Sequence, residues 1–230
     1  MTCRNMGKKV VSFSLWGADP KYTIGALRNI VCCDELLPDF ECWFYVHEPS
    51  VPLEIIDMLK RAPKTRVILR SESISKARMW RFEAIDDPDV EIMLSRDTDS
   101  RITAREKNAI DAWLASGKTF HIMRDHPYHS DRVMAGMFGT RKTSFTWKDR
   151  IDMFNNGNNT YNYDQIFLYN NVYPYIVNDS VIHASFHRHE AHATDFPDAR
   201  DDEYHFVGEY VYHDESRNQT NIDQVKRGYI

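Results

Sequence analysis

The chain has 230 residues, with 29 Lys and Arg against 34 Asp and Glu and a formal net charge of −5. At roughly 150 residues per domain, this length favours one large domain with a short tail. Binding along nucleic acid needs a basic stripe, so the acidic balance argues against a nucleic-acid partner. Apolar residues make up 42% of the chain, which is enough for a folded core and excludes global disorder.

Membrane and redox features point to a soluble cytoplasmic protein. No apolar run approaches the roughly 18 residues that span a bilayer, so no transmembrane segment is expected. The apolar run at residues 10–16 is short and soon meets Asp19, so it is predicted to be a buried strand rather than a signal peptide. All four cysteines lie within the first 42 residues without Cys-x-x-Cys spacing, which predicts reduced thiols.

Short apolar runs alternate with helical patterns through the first half of the chain. The spacing predicts strands over residues 10–14, 42–46, 66–69 and 90–94, and helices over residues 22–31, 53–60 and 76–85. Strands that alternate with helices of about ten residues indicate βαβ units. The predicted fold class is therefore α/β, with a mixed, mostly parallel central sheet flanked by helices in a single domain.

The second half continues this pattern with shorter elements. Thr103 lies three residues before Glu106, which is the spacing of a capping box at the start of a helix. Further strands are predicted at residues 120–123, 136–139 and 181–184, helices at 147–154 and 163–169, and an asparagine-rich loop at 155–162. Since no repeat or linker divides the chain, residues 1–215 are predicted to form one domain and residues 216–230 a tail.

The strongest local motif is the pair Asp97 and Asp99, directly after the apolar strand at residues 90–94. In an extended chain, residues i and i+2 point the same way, roughly 6.5–7 Å apart. Ligands of open α/β sheets bind outside the carboxyl ends of the strands. Carboxylate oxygens there could hold Mg²⁺ or Mn²⁺ against a phosphate-containing ligand. The alternative interpretation is a capped turn, which Asp and Ser also favour.

Other polar residues near predicted strand ends are candidates for ligand binding. Arg78 and Arg81 lie one helix before the carboxylate pair and suit bidentate binding of phosphate, or are ordinary charges on a helix surface. Arg124 and Asp125 follow a strand, where a structural turn before Pro127 is the alternative.

Asp164 and a group of histidines later in the chain are also candidates. Asp164 opens a short helix, either as an acid favoured by the helix dipole or as an active-site group. Six of the ten histidines lie between His183 and His213, and neutral imidazole is a common metal ligand.

Taken together, these motifs resemble the metal-dependent GT-A glycosyltransferases. The segments that carry the resemblance are Asp97 and Asp99, the preceding Trp80-Arg81-Phe82, residues 124–127 and 136–139, and Asp164-Gln165. More closely, the combination of motifs resembles a group of small viral and bacterial glycosyltransferases, which includes the N-terminal domain of a chlorella-virus enzyme that glycosylates the capsid protein. The resemblance extends from about residue 10 to residue 215. Ala135 and Phe138 depart from it, since glycine and tryptophan are usual there.

This resemblance implies transfer of a sugar from a nucleoside-diphosphate donor, a UDP-sugar above all, to a glycan or glycoprotein hydroxyl. It implies Mn²⁺ or Mg²⁺ as cofactor, bound by Asp97 and Asp99, with His183 as a later ligand and His187 as the alternative. The remaining roles that it implies are a nucleotide bordered by Ser14, Leu15, Trp16, Gly17 and Tyr22, a diphosphate facing Arg78 and Arg81, sugar hydroxyls held by Arg124 and Asp125, and Asp164 near the reacting carbon. The stereochemical outcome stays open.

Two other functions remain as alternatives. A sugar-nucleotide nucleotidyltransferase also presents carboxylates and a divalent ion at an α/β strand end. It usually has a phosphate loop rich in glycine and lysine near the first strand. Residues 14–17 instead contain an aromatic residue, Trp16, and no lysine. A non-catalytic glycan-binding module is compatible with the 13% aromatic content, but it does not need paired carboxylates beside arginines.

Overall fold

The computed structural model describes residues 7–154 and 162–228. The described strands are β1 (Lys8–Leu15), β2 (Phe40–His47), β3 (Thr65–Arg70), β4 (Val90–Arg96), β5 (Phe120–Arg124), β6 (Met137–Arg141) and β7 (Ser180–Ala184). The described α-helices are α1 (Pro20–Leu36), α2 (Leu53–Arg61), α3 (Ala77–Trp80), α4 (Ala104–Ser116), α5 (Trp147–Met153), α6 (Tyr163–Phe167), α7 (Tyr173–Ile176) and α8 (Gln219–Arg227). The loop predicted at residues 155–162 lies outside the described residues, apart from Asn162.

These strands form one mixed sheet in the order β3-β2-β1-β4-β6-β5-β7. The pairs are parallel except for those of β6, which runs antiparallel to β4 and β5. This confirms the predicted α/β fold with a mostly parallel sheet flanked by helices. The strand order reverses between β1 and β4, and ligands of α/β folds bind outside the carboxyl ends of strands at such a point.

Both faces of the sheet are covered by apolar layers. On β1, Val11 and Phe13 pack in a cluster that includes residues of α1, α2 and α4. Val10 points the opposite way, into a cluster with residues of α3, α5, α6 and α7. Because successive side chains of a strand alternate between faces, a strand buried on both sides reads as an unbroken apolar run. This agrees with β1, which is buried from Val10 to Leu15 and has only two serines among its apolar residues there.

Helix α4 begins with one of the two hydrogen bonds of the predicted capping box. The Thr103 side chain accepts a hydrogen bond from the backbone N–H of Glu106 at 3.2 Å. The Glu106 side chain does not reach back to Thr103, because it pairs with the buried guanidinium of Arg96 in β4. One cap residue therefore starts the helix while its partner fastens the helix to the sheet.

The prediction of a single helix over residues 76–85 is wrong in detail. The segment divides into a 3₁₀ turn (Ile74–Lys76), α3 and a second 3₁₀ turn (Arg81–Asp86). At the division the backbone N–H of Arg81 donates to the hydroxyl of Ser14 at 3.1 Å. This bond ties Arg81 to the carboxyl end of β1.

The segment predicted as a tail contains helix α8. Its Ile222 and Val225 are buried, and the ring Nε2–H of His126 donates to the carbonyl of Asn221 at 3.1 Å. Residues 219–227 therefore pack against the connection between β5 and β6.

The described helices include none that is both long and apolar enough to cross a membrane. Cys32, Cys33 and Cys42 are free thiols, and Cys3 lies outside the described residues. Burial raises the pKa of the Cys32 thiol, so this thiol stays protonated at neutral pH.

Candidate active site

A cleft of about 380 Å³ lies at the carboxyl ends of β1 and β4. Such a volume is within the range of small-ligand sites. The predicted site residues that line it are Ser14, Leu15, Trp16, Tyr22, Arg78, Arg81, Asp97, Asp99 and Asp164. Residues that are far apart in sequence thus meet at the point where the strand order reverses.

Arg81 joins two of the carboxylates in the cleft. Its guanidinium forms an ion pair with Asp97 and another with Asp164 at 2.8 Å, and only 5% of its side chain is exposed. It also donates to the backbone carbonyl of Arg96 at 3.1 Å. Burial acts to lower the pKa of Arg81, but the two carboxylates outweigh this and raise it. The guanidinium therefore stays charged while it is buried.

Asp164 is the most enclosed carboxylate of the cleft, with 8% of its side chain exposed. Burial raises the pKa of its carboxyl, the charge of Arg81 opposes this, and Asp97 adds to the increase. The net direction is upward, because a buried carboxylate near a second negative charge is costly to ionise. A carboxylate with a raised pKa is a better proton acceptor, so Asp164 is suited to general-base chemistry.

Asp99 is paired with a lysine that the sequence analysis did not select. The Lys21 ammonium lies 2.9 Å from the Asp99 carboxylate and over the rings of Tyr22 and Tyr210, at 4.5 and 4.9 Å from their centroids. Burial and the charge of Asp97 raise the pKa of Asp99, and Lys21 lowers it in part. Asp97 and Asp99 thus each have a cation of the protein as a partner.

Helix α1 holds the turn that carries Asp97 and Asp99. The side-chain amide of Asn29 donates to the carbonyls of Thr98 and Ser100 at 3.1 and 2.8 Å. Gly25 lets the helix approach closely, since a Cβ there would lie 2.2 Å from the Thr98 carbonyl oxygen. The direction of the carboxylate pair is therefore set by contacts with α1 as well as by β4.

Gly136 provides the space that Asp97 occupies. A Cβ at this position would lie 1.8 Å from Oδ2 of Asp97, well inside contact distance. Since Arg81 binds Oδ1 of Asp97, the carboxylate is held between Arg81 on one side and the backbone of Gly136 on the other. A close approach of this kind requires glycine.

The C-terminal segment completes the wall of the cleft beside Asp99. The backbone N–H of Val211 donates to the Asp99 carbonyl at 2.7 Å, and Tyr210 pairs with Ser100 in an isolated antiparallel bridge. Gly208 and Tyr210 line the cleft. Residues near the end of the domain therefore contribute directly to the site.

His129 also lines the cleft and is 8% exposed. Its ring Nδ1 accepts a hydrogen bond from the backbone N–H of Asp125 at 3.2 Å. Burial lowers the pKa of His129 to about 3, helped by the neighbouring ring of His126. The imidazole is therefore neutral at physiological pH, and its proton is on Nε2.

The carboxylates of the cleft fit a hard divalent cation. Asp97 and Asp99 provide oxygen ligands, which Mg²⁺ and Mn²⁺ prefer, and half of the Asp97 side chain is exposed. Among residues 7–154 and 162–228, no group of three or more His, Cys, Asp or Glu side chains is placed to hold a metal ion. The donor set thus fits an ion with one or two protein ligands, whose other positions are filled by water and ligand phosphate oxygens.

Arg124 and Asp125 do not line the cleft. Arg124 is fully buried, pairs with Glu190 and donates to the Arg132 carbonyl at 2.7 Å. The carboxylate of Asp125 is equally buried and is bound by Arg105 at 2.9 Å and by other donors. The structure therefore leaves the predicted contacts of these two residues with sugar hydroxyls without geometric support.

The structure likewise does not bring His183 or His187 to the cleft lining. The His183 ring is hydrogen-bonded to the ring of His121 at 2.8 Å, and burial lowers its pKa to about 4. His187 donates from Nε2 to the Pro127 carbonyl at 2.6 Å. The role of His183 or His187 as a third metal ligand therefore stays a prediction without geometric support.

Gly17 follows the cleft-lining Trp16 but does not line the cleft itself. It has a positive φ of 77°, and its backbone N–H donates to the Ser50 hydroxyl at 2.8 Å. Its structural role is to turn the chain from β1 towards α1.

Several residues of the site had not been selected from the sequence, among them Lys21, His129, Asn29 and Tyr210. Lys21 had a usable signal, because it lies in the first turn of a helix that follows β1. His129 had a weaker one, four residues after Asp125. For Asn29 and Tyr210 no local pattern exists, since their contacts are with a turn about 70 and 110 residues away. Long-range packing alone places them.

The comparisons with known proteins give structural likenesses of low identity. No protein-family model matches the sequence, and no curated protein matches it. The chain is similar to a 4-diphosphocytidyl-2C-methyl-D-erythritol synthase from Anaerococcus prevotii, with a TM-score of 0.44 and 13% identity, covering 70% of this chain and 84% of the other. It is also similar to a protein described as a nucleotide-diphospho-sugar transferase from Desulfovibrio desulfuricans, with a TM-score of 0.44 and 11% identity, covering 71% and 76%. At these values the function has to be inferred from the cleft itself.

Proposed function

We propose that the protein is a metal-dependent glycosyltransferase, which moves a sugar from a nucleoside-diphosphate donor to a hydroxyl of a glycan or glycoprotein. The observation that carries this proposal is the linked set of Asp97, Arg81 and Asp164 in one cleft beside the carboxyl ends of β1 and β4. It combines a carboxylate for a cation, a buried guanidinium and a carboxylate with a raised pKa. A UDP-sugar is the favoured donor.

The cations of the cleft suit a leaving diphosphate. When the bond between the anomeric carbon and the phosphate oxygen breaks, its electron pair passes to that oxygen. Arg78 and Arg81 line the cleft, and preorganised positive charge in a partly buried site stabilises the developing negative charge. Because Arg81 is already fixed by Asp97 and Asp164, it needs little reorganisation during the reaction.

Asp164 is suited to take the proton from the acceptor. As the acceptor oxygen forms its bond to the anomeric carbon, the hydroxyl proton passes to the Asp164 carboxylate. Its raised pKa favours this transfer compared with an ordinary exposed Asp. This assignment describes a direct displacement; in a retaining reaction Asp164 would support the positive charge that develops on the sugar.

A divalent ion would be held by Asp97, with Asp99 as a second carboxylate once Lys21 moves aside. When bound, Mg²⁺ or Mn²⁺ supplies positive charge to the departing diphosphate. Asp97 and Asp99 suit such an ion because they provide oxygen ligands at the edge of the sheet where β1 and β4 end.

The decisive experiment is a donor screen. The purified protein is incubated with UDP- and GDP-sugars, with Mn²⁺ or with EDTA, and the released nucleoside diphosphate is measured. We expect metal-dependent release that Asp97→Asn abolishes and Asp195→Asn does not change, since Asp195 is 77% exposed in a surface pair with Arg188. Binding of no nucleotide by calorimetry, with or without Mn²⁺, would overturn the proposal and favour a glycan-binding module.

A sugar-nucleotide nucleotidyltransferase is the second candidate, and Lys21 favours it. From the sequence alone this function is less favoured, because residues 14–17 contain no lysine. The structure brings Lys21, just beyond that segment, within 2.9 Å of Asp99 at the cleft. Incubation with a nucleoside triphosphate and a sugar 1-phosphate separates the two functions, because only the nucleotidyltransferase releases pyrophosphate.

A further inference from the structure

We propose that His129 donates a hydrogen bond from Nε2 to a hydroxyl of the donor sugar. It would thereby select sugars that carry an oxygen at the ring position facing Nε2. This inference rests on the proposed function and adds to it a residue that recognises the sugar. It concerns a residue that neither the sequence motifs nor the reaction steps above use.

The direction of the imidazole follows from its one hydrogen bond. Nδ1 accepts from the backbone N–H of Asp125 at 3.2 Å, so in the neutral ring the proton lies on Nε2. Among the described residues, Nε2 of His129 has no hydrogen-bond partner, although 92% of the residue is buried and the ring lines the cleft. Nε2 is not among the fully buried atoms that lack a partner, so it is open to the cleft, where a hydroxyl oxygen of a ligand can take the place of water as its acceptor.

The surroundings of His129 suit a sugar better than a phosphate. The cations that line the cleft, Arg78 and Arg81, come from α3 and its end, whereas His129 belongs to the connection between β5 and β6. The same connection contributes Ala135 and Gly136 to the lining. The charges that act on the His129 ring include the carboxylates of Asp97 and Asp125, which disfavour a phosphate there. A neutral N–H in these surroundings matches a hydroxyl, while a diphosphate requires the cationic side.

Asp97 separates these two sides of the cleft. Its Oδ1 is bound by Arg81, and its Oδ2 faces the backbone of Gly136. A nucleoside-diphosphate sugar with its diphosphate near Arg81 and Asp97 therefore extends its sugar towards Gly136 and His129.

Two substitutions of His129 test the roles of its two ring nitrogens separately. In His129→Asn the amide oxygen takes the place of Nδ1 and keeps an acceptor for the Asp125 N–H, but the Nε2 donor is lost. In His129→Gln the amide nitrogen takes the place of Nε2 and keeps the donor. The asparagine variant thus tests the sugar contact, and the glutamine variant tests whether restoring the donor restores binding.

The experiment is calorimetric titration of the full chain with Mn²⁺, using UDP and whichever of UDP-glucose, UDP-galactose and UDP-N-acetylglucosamine binds best. One neutral hydrogen bond contributes about fivefold to affinity. We expect His129→Asn to weaken UDP-sugar binding by about that factor, to change UDP binding less than twofold, and His129→Gln to bind the UDP-sugar nearly as the wild type does.

Equal weakening of UDP and UDP-sugar in His129→Asn, or no weakening of either, would overturn this inference while leaving the proposed function intact. Failure of the wild-type protein to bind any of these nucleotides would overturn the proposed function itself. A second measurement needs no variant. The ¹⁵N and proton resonances of the His129 Nε2–H should shift on addition of the UDP-sugar and not of UDP, and the absence of that difference would contradict the contact.

Discussion

The cleft and the buried cluster around Asp125 both join carboxylates to arginines, yet they differ in how many donors each carboxylate receives. The Asp125 carboxylate accepts from Arg105, Arg200, the Ser185 hydroxyl and the backbone N–H of Val207. Burial acts to raise the pKa of Asp125, but these donors outweigh it and the pKa is lowered. A carboxylate so fully satisfied is a structural anchor.

Asp164 is almost as buried, but its environment has the opposite effect. It shares Arg81 with Asp97, and its other donor is the backbone N–H of Gln165 at 3.0 Å. Its pKa is raised, because burial outweighs these contacts. The comparison shows that the number of donors, rather than burial alone, decides whether a buried carboxylate fixes the fold or can accept a proton.

The largest effect is expected for Asp125→Ala. The substitution leaves Arg105 and Arg200 largely buried without their carboxylate, which costs about 3–5 kcal/mol of unfolding free energy. Urea unfolding followed by circular dichroism measures the loss. Asp195→Ala is the control and should cost less than about 1 kcal/mol, because this pair is exposed. A loss below that level for Asp125→Ala would contradict its role as an anchor.

The second-largest effect is expected for Asp164→Asn. Loss of a general base lowers the transfer rate by about 10²- to 10⁴-fold. The raised pKa of Asp164 means that its ionised form disfavours folding, so the neutral amide should leave the free energy of unfolding at pH 7 unchanged or higher. Steady-state kinetics and urea unfolding measure the two quantities on the same samples. A destabilised variant would place Asp164 with Asp125 among the structural anchors.

The stability at acid pH should depend on Asp125 and Asp164 in opposite ways. The folded-state pKa of Asp125 is lowered, so its contribution to stability is present above the ordinary Asp pKa and is lost as the pH falls through the folded value. The pKa of Asp164 is raised, so its cost to stability appears as the pH rises through the folded value. The rate of transfer should likewise fall on the acidic side at a higher pH than an unperturbed Asp would give, and this limb should vanish in Asp164→Asn.

A smaller effect is expected for Gly136→Ala. The new methyl group would displace the Asp97 carboxylate, and a shift of about 1 Å in a catalytic group can cost up to about 100-fold in rate. Metal-dependent donor hydrolysis measures this loss. Gly117→Ala is the matched control, because Gly117 has a φ of 74° and no atom near its missing Cβ. It should lose stability without losing activity, and equal activities of the two variants would contradict the role of Gly136.

The smallest effect is expected for Asn29→Ala. Two carbonyls of the turn that carries Asp97 and Asp99 lose their donor, which costs about 1–3 kcal/mol of unfolding free energy when the groups remain buried. Thermal unfolding measures the stability, and the Mn²⁺ dependence of donor hydrolysis measures the placement of the carboxylates. An unchanged melting temperature would show that α1 does not hold the turn.

Much of the sheet could be predicted, because its strands other than the edge strand β3 are mostly buried. All seven described strands coincide with apolar runs in the sequence, and Asp97, Arg81 and Asp164 do meet in one cleft. The position of Asp97 follows from a rule of α/β folds, that polar residues after buried strands collect at one edge of the sheet. Arg81 and Asp164 reach the same edge from the end of α3 and from α6.

The remainder depends on contacts that no local pattern encodes. The break at Arg81 comes from a bond to Ser14, 67 residues earlier. His183 and His187 bond to His121 and to the Pro127 carbonyl, while His129, which precedes them in the chain, lines the cleft. Side-chain chemistry could be predicted from residue type, but the direction in which a side chain points could not.

The antiparallel direction of β6 has a consequence for how the cleft can be altered. In a parallel sheet only the segments that follow strands reach the ligand-binding edge. Since β5 ends and β6 begins at this edge, the whole connection between them, residues 125–136, starts and finishes beside the cleft. Insertions or exchanges at the exposed Ser130 and Asp131 would therefore change the surroundings of His129, while the buried Val133 and the pairing of the strands stay in place. This connection is the place to begin in redesigning the protein for a different ligand.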